Sequence, residues 1–337
     1  MSTQKITSME VAKLAGVSQS AVSRVFTPGA SSSKKTNELV RKAAAELGYR
    51  PNVLARSLIT GKSRMIGLVV AYLDNYFYPE ALELLSSALQ KKGYHVLIFM
   101  SGNKEGDIAD AVDEILDYQV DGIIAASVSM SSDLAKRCTS AGVPVVLFNR
   151  TQDDDRLSAV TSDNFQGGQK VARFLLAGGH KRIGYIAGWE GASTQRDREK
   201  GFTEELVRNG QELYAREVGN FNSDEARQAA RTMFSKQHFP DAVFVANDAM
   251  AIAVIDVIRF ELGLQVPEQV SVVGYDDVPI SSWPAYDLTT VRQPANRMVA
   301  ETVSILIESI ENKTTTARRI EIDGPLMVRG SAKISDK

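Results

Sequence analysis

The sequence predicts a small all-α head and, from Met65 onward, a two-part α/β core with parallel sheets. Three observations carry this. Residues 7–27 hold two short amphipathic helix patterns joined by a tight turn. After Met65, short apolar runs alternate with helical patterns, and the alternation occurs twice over. Charge divides at the same place. Residues 1–64 carry a net +8 and residues 65–337 a net −10, within a chain of net −2. A basic head on an acidic body points to a polyanionic partner, although a solvated basic face would give the same count. At 337 residues the chain is too long for one ordinary core.

In the head, Thr7-Ser8-Met9-Glu10 has the form of a capping box and opens SMEVAKLAG, which Gly16 ends. Ser18 then caps QSAVSRVF, which runs to Thr27-Pro28-Gly29. Val11, Leu14, Val17, Val22 and Val25 are expected to share a buried face, leaving Gln19, Ser20, Ser23 and Arg24 outward. A third helix is expected from Lys35 to Leu47, closed by Gly48. An outward polar helix of this kind fits the major groove, where Gln prefers adenine and Arg prefers guanine. Spacing alone also permits any small three-helix bundle with an exposed polar face.

The stretch RPNVLARSLITGKSR, residues 50–64, reads as a third kind of element. Pro51 and Asn52 start a helix, Leu54 and Leu58 lie one turn apart, and Gly61 stops it. About two turns of helix are not stable alone in water. TGKS at 60–63 looks like the end of a phosphate loop, but the glycine that motif requires would fall at Arg56.

In the core, MIGLVVA, YHVLIF, VDGIIAA and VPVVLF read as buried strands, with RIGYIAG, DAVFVA and VSVVGY repeating the pattern. Helices are expected between them, including stretches near 166–178, 195–210, 223–237 and 248–262. Open α/β sheets bind ligands at the carboxyl ends of their strands, so polar residues just after strands are the candidates to watch. These are Asp163-Asn164, Asn247-Asp248 and Tyr275-Asp276-Asp277, with Arg196 and Arg198 in STQRDREKGF. Asp and Asn in such places also serve as helix caps. The plain alternative for Arg198 is a surface ion pair with Asp197 or Glu199.

The motifs EVAKLAGVSQSAVSRVF, ELGYRPNVLARSL and TGKSRMIGLVV together resemble the LacI family of bacterial transcription regulators, and the resemblance covers about residues 7–330. It implies a helix-turn-helix DNA-binding head and a two-lobed core like type I periplasmic binding proteins. The expected division is 1–50 head, 51–64 hinge helix, 65–162 plus 294–325 first lobe, and 163–291 plus 326–337 second lobe. Candidate DNA contacts are Thr7, Ser18, Gln19, Ser20, Ser23 and Arg24 in the head, and Asn52, Ala55, Arg56 and Leu58 in the hinge. Leu58 stands where the family places a leucine that wedges between base pairs, in a helix that orders on DNA. A packed core leucine is the plainer reading. Asp163, Arg198, Asn247 and Asp276 match family effector positions, and Phe221 matches a pocket aromatic. The first strand runs into AYLDNYFYPE, which adds Tyr72, Asn75 and Phe77. Many relatives have Asp at the position of Tyr72 and Pro at that of Tyr76, so the effector cannot be carried over from another member. Carboxylates, Asn and Arg suit hydroxyl pairs, and the candidate aromatics Phe221, Tyr72 and Trp283 suit an apolar sugar face.

The rest of the sequence narrows the class. The longest apolar run, MIGLVVAYL, is less than half a membrane span, and the N-terminus has no apolar signal core, so a cytoplasmic protein is expected. The lone Cys138 rules out an internal disulfide and reads as packing or surface. His95, His180 and His238 lack ligand spacing, so no metal or cofactor is expected. No G-x-S-x-G elbow and no G-x-G-x-x-G is present, which argues against an enzyme. A sugar-transport binding protein would share the core but not the basic head. The expected function is a repressor that binds a near-palindromic double-stranded operator under control of a small sugar-like effector. A corepressor sign, activation, and a nucleoside or sugar-acid effector stay open. The C-terminal GPLMVRGSAKISDK has no apolar heptads, so a homodimer is expected rather than a dimer of dimers.

Overall fold

The computed structural model describes residues 6–27, 30–50, 62–71, 73, 75–101, 105–128, 130–152, 156–312 and 316–334. The chain forms two compact units, Met1–Ser63 and Arg64–Lys337.

The first unit holds α1 (Ser8–Ala15), α2 (Gln19–Phe26) and α3 (Lys34–Leu47). Local signals set their ends. The Glu10 carboxylate accepts from the Thr7 backbone N (2.7 Å) and hydroxyl (3.0 Å), which lowers the Glu10 pKa. Ser18 and Ser33 accept from the backbone N of Ala21 and Thr36. Gly16 and Gly48 close α1 and α3 in the left-handed conformation, at φ 64° and 65°. The core is small: Val11, Ala12, Ala15, Val22, Val25, Val40, Ala43 and Ala44, with Phe26 and Tyr49 packed at its edge. Leu14 departs from the sequence reading and is 48% exposed. Each helical residue turns about 100°, so Val11, Ala15 and Ala12 fill one inward arc and leave Leu14 beyond its edge.

The second unit contains two six-stranded sheets. Strands β1 (Met65–Val70), β2 (His95–Met100), β3 (Gly122–Ala126), β4 (Val145–Phe148), β5 (Ser158–Ser162) and β11 (Arg319–Ile322) form the first, in the order β11-β5-β4-β3-β1-β2. The second comprises β6 (Ile183–Ala187), β7 (Ala215–Val218), β8 (Ala242–Val245), β9 (Ser271–Asp276), β10 (Thr289–Arg292) and β12 (Leu326–Met327), in the order β12-β10-β9-β8-β6-β7. All pairings are parallel except β12 against β10. The apolar runs of β3, β4, β6 and β8 are buried along their whole length, as helix-covered parallel strands require. β2 differs from the sequence reading. It is an edge strand, with His95, Ile98 and Met100 exposed.

Helices α4 (Phe77–Lys91), α5 (Glu105–Asp117), α6 (Ser132–Ser140) and α11 (Ala295–Asn312) go with the first sheet. Helices α7 (Asn164–Ala177), α8 (Ser193–Arg208), α9 (Ser223–Phe234) and α10 (Asp248–Asp256), the last continuing as a π-turn to Glu261, go with the second. The chain crosses between lobes after β5, after β10 and after β11. Helices α7 and α8 lie very close. A Cβ on Gly168 would sit 2.1 Å from the Arg198 carbonyl oxygen, and one on Gly201 2.0 Å from that of Phe165. This approach sets the height at which α8 presents Arg198. Cys138 is fully buried, and burial pushes its thiol up to about 11, so it packs as a small apolar residue.

Candidate functional site

The first unit presents a polar helix face. Val22 and Val25 anchor α2, while Ser18, Gln19, Ser20, Ser23 and Arg24 are exposed. Gln19 donates from Nε2 to the Ser8 hydroxyl at 3.0 Å, and the Ser18 and Ser20 hydroxyls share a hydrogen bond. Thr7 is held by Glu10 at the start of α1. The face therefore offers amide, hydroxyl and guanidinium groups at a helix N-terminus, the chemistry that reads base edges and phosphates. Asn52, Ala55, Arg56 and Leu58 lie outside the described residues.

In the second unit a cleft of about 810 Å³ opens between the carboxyl ends of the two sheets. Its floor is built on Arg198, which is 2% exposed. Arg198 donates from Nε to Asn164 Oδ1 (2.8 Å) and from Nη1 to the Ala246 carbonyl, and its guanidinium lies 3.6 Å from the centre of the Tyr275 ring. Its second Nη is 3.8 Å from Asp276. Arg198 is thus a buried partner of Asp276, not a surface ion pair with Asp197 or Glu199.

Asp276 ends β9 at the cleft floor with φ 129°, and Asp277, which follows at φ 57°, turns away to pair with Arg292 and Arg329. The Asp276 carboxylate accepts from Gln293 Nε2 (2.6 Å) and from Asn75 Nδ2 (3.0 Å). Burial pushes its pKa up to about 7, with Arg198 opposing and the Asp248 carboxylate reinforcing the rise. Asp248 is itself fully buried and accepts from Thr290, Ser281 and the Val278 backbone N, so it braces the β9–β10 connection.

Asn247 serves two ends. Its Oδ1 caps α10 by accepting from Met250 N (3.0 Å), and its buried Nδ2 has no protein partner. Asn149 is similar: Nδ2 donates to the Tyr78 hydroxyl, while Oδ1 is buried without a partner. Both residues line the cleft, and each keeps one buried polar atom without a protein partner.

The structure sorts the remaining candidates. Asn75, Arg198, Phe221, Asn247 and Asp276 come together on the cleft wall. Asp163 does not line it. Its carboxylate caps α7 through Gln166 N (2.9 Å), and the neighbouring Asn164 is the residue that holds Arg198. Phe77 points into the first lobe and stacks on Phe148, with centroids 6.2 Å apart. Tyr72 lies outside the described residues. Trp283 is 55% exposed and away from the cleft, where Trp189 stands instead.

Sequence reasoning missed Asn149, Arg150, Trp189 and Thr194. Arg150 is 1% exposed and bridges the lobes, donating to Thr194 Oγ1 (2.8 Å) and to the Ser127 hydroxyl (2.9 Å). Beside it the Thr151 backbone N donates to the Ser193 hydroxyl. The signal was available, since Asn149-Arg150 follows VPVVLF and Trp189 follows RIGYIAG, the same post-strand position that marked Asn247 and Asp276.

Comparison with known proteins joins the two units. Residues 7–52 match the family model of bacterial regulatory proteins of the lacI family, and residues 172–332 match the periplasmic binding protein-like domain. The chain is 31% identical to the HTH-type transcriptional repressor PurR of Pasteurella multocida over 96% of its own length and 98% of the relative's. The chain belongs to the LacI family. It is also 32% identical to the HTH-type transcriptional regulator CelR of Thermobifida fusca, over 95% of this chain and 96% of that one. Among solved structures, a Lac repressor dimer bound to operator and an anti-inducer aligns with a TM-score of 0.88 at 27% identity, covering 97% of this chain and 99% of that one. A CelR–cellobiose complex aligns at 0.73 and 31%, covering 97% and 100%. This LacI-family chain is a DNA-binding transcriptional repressor and not an enzyme. Among the described residues no group of His, Cys, Asp or Glu could hold a metal ion, and no helix is long and apolar enough to cross a membrane.

Proposed function

We propose that this repressor binds a near-palindromic operator as a homodimer in the cytoplasm, and that a small carbohydrate in the inter-lobe cleft controls its affinity. One observation carries the effector reading: a single cleft lined by the buried Arg198–Asp276 pair together with Asn75, Asn149 and Asn247. Each sugar hydroxyl both donates and accepts, which suits a lining of amides, a carboxylate and a guanidinium. The CelR–cellobiose structure supports the same class. Self-association is supported by the Lac repressor dimer, and by the exposed edge strand β2 with Ile98 and Met100.

Gln19, Ser20 and Arg24 would read base edges, with Thr7, Ser18 and Ser23 beside them. Asn52, Ala55, Arg56 and Leu58 would form a hinge that orders on DNA, Leu58 kinking the duplex. Effector binding must favour one arrangement of the lobes over another to change operator affinity. A second reading, a nucleoside effector, is favoured by the aromatic Phe221 at the cleft mouth.

The test is to incubate the protein with sheared DNA of its source and sequence what it retains. A shared short palindrome is expected. The cloned operator is then titrated with neutral sugars and with nucleosides. A change in operator affinity with sugars alone supports the carbohydrate reading, and a change with nucleosides alone replaces it. Leu58→Ala should weaken operator binding and leave effector affinity intact, whereas Arg198→Ala should do the reverse.

A further inference from the structure

The cleft is graded in burial and in ownership. Its floor, including Asn149, Arg150, Arg198, Asn247 and Asp276, is almost fully buried and drawn from both lobes. Its mouth is half-exposed to exposed, and its residues after β6 and after β7 all belong to the second lobe. Two aromatic rings stand there. A Cβ on Gly188 would lie 2.3 Å from Phe221 ring carbons, and one on Gly191 would lie 2.4 Å from the Trp189 ring. Each ring therefore rests on a bare backbone that any other residue would obstruct. Phe221 also holds φ 57°, a left-handed conformation costly for an aromatic residue, to reach its place.

The floor and the mouth together enclose about 810 Å³, in the upper part of the roughly 300–1,000 Å³ range of small-molecule sites. A single ring held by the floor would leave the mouth rings without a ligand face. The charges are also informative. Arg198 faces Asp276, Arg150 lines the floor and donates to Thr194 and Ser127, and Arg196 is exposed and does not line the cleft. At the mouth, Glu190 is paired with Arg216 (2.7 Å), while Asp224 and Glu225 stand exposed at the start of α9. The unpaired negative charge is confined to the mouth, where it disfavours an anionic outer ring.

We propose that the mouth is a second sugar subsite, with Trp189 and Phe221 as its platform, and that the effector is an uncharged glycoside of at least two rings. The proposal rests on the carbohydrate reading above. The inner ring meets Asn247, Asn149 and Asp276, and the outer ring lays its apolar face on Trp189. Trp189 is the specificity-determining residue: it selects ligand length, and the floor selects hydroxyl pattern.

The test uses the full-length protein and native mass spectrometry. The protein is equilibrated with neutral mono- and oligosaccharides from partial acid hydrolysis of plant and bacterial polysaccharides, mixed with pools of sugar phosphates, sugar acids and nucleosides. Retention of a neutral mass of two or three rings is expected. Calorimetry with the retained sugar should then show Trp189→Ala weakening its binding about tenfold or more, Trp189→Phe restoring most of it, and the sugar's single-ring component binding both variants alike. Retention of a monosaccharide alone overturns the second subsite and leaves the carbohydrate reading standing. Retention of a nucleoside, or of nothing, overturns both. Retention of a sugar phosphate or sugar acid overturns the charge argument, and an unchanged Trp189→Ala affinity overturns the platform.

Discussion

In the helix-turn-helix unit, the groups proposed to read DNA stand in solvent: Ser20, Ser23 and Arg24 are exposed above a core of eight valines and alanines. In the α/β unit, Arg198, Asn247 and Asp276 are each at most 3% exposed. The difference suits the two ligands proposed. DNA is large and brings its own charge and hydrogen-bonding edges, so exposed side chains on a small scaffold suffice. A small polar effector must be surrounded to be told apart, so its contacts are desolvated, and desolvated charges need partners held in place. A head of three short helices can afford the first arrangement only. The second needs two sheets, the close contact of α7 with α8, and the Asn164, Gln293 and Asn75 bonds.

Substitutions can break or sharpen this contrast. The largest effect is expected in the buried pair. Arg198→Ala leaves Asp276 without its counter-charge and should destabilise the second unit by about 3–5 kcal/mol, seen in chemical denaturation, with loss of effector response. The same carboxylate predicts a pH dependence. Its folded pKa is raised from 3.8 to about 7, so the folded state binds the extra proton. Stability should therefore be greatest at low pH from this group and fall as pH rises from about 4 to 7, by at most about 1.4 kcal/mol per pH unit. Subtracting the melting profile of Asp276→Asn from that of the parent isolates the slope, and identical profiles would show that Asp276 ionises normally.

In the exposed head the effects should be smaller and should fall on binding. Arg24→Ala should reduce operator affinity by about 1–3 kcal/mol and relax preference at one base pair, with no change in melting. A selection of randomised operators against parent and variant reads this directly. Smallest is Ser18→Ala, which removes the cap of α2 and should cost about 1 kcal/mol of head stability, read by the thermal melt of that unit. A larger loss from Ser18→Ala than from Arg198→Ala would reverse the contrast.

The helix starts and stops of the head were legible because a cap is a local event: Thr7 and Glu10, Ser18, Gly16 and Gly48 act within a few residues of their own backbone. The core strands were legible because parallel strands covered on both faces need continuous apolar runs. Leu14 and β2 were misread for the same reason in reverse. Apolar character says that a residue can be buried, and only the packed neighbours say whether it is. The family was legible too, since its motifs are contiguous.

The site was half legible. The rule that polar residues after strands line a cleft finds Asn247 and Asp276, and after β4 and β6 it points in the same way to Asn149, Arg150 and Trp189. It cannot separate Asp163, which caps α7, from Asn164, which holds Arg198, because adjacent residues point different ways once the helix begins. Nor does sequence place Arg198 beside an aspartate 78 positions away, or seat Phe221 on Gly188. Local order, class and family lay in the chain itself, where hydrogen bonds close within a few residues. Which charges are buried and which rings line the cleft were decided only when two sheets met across three crossings, since burial and pairing belong to that meeting and to no single segment.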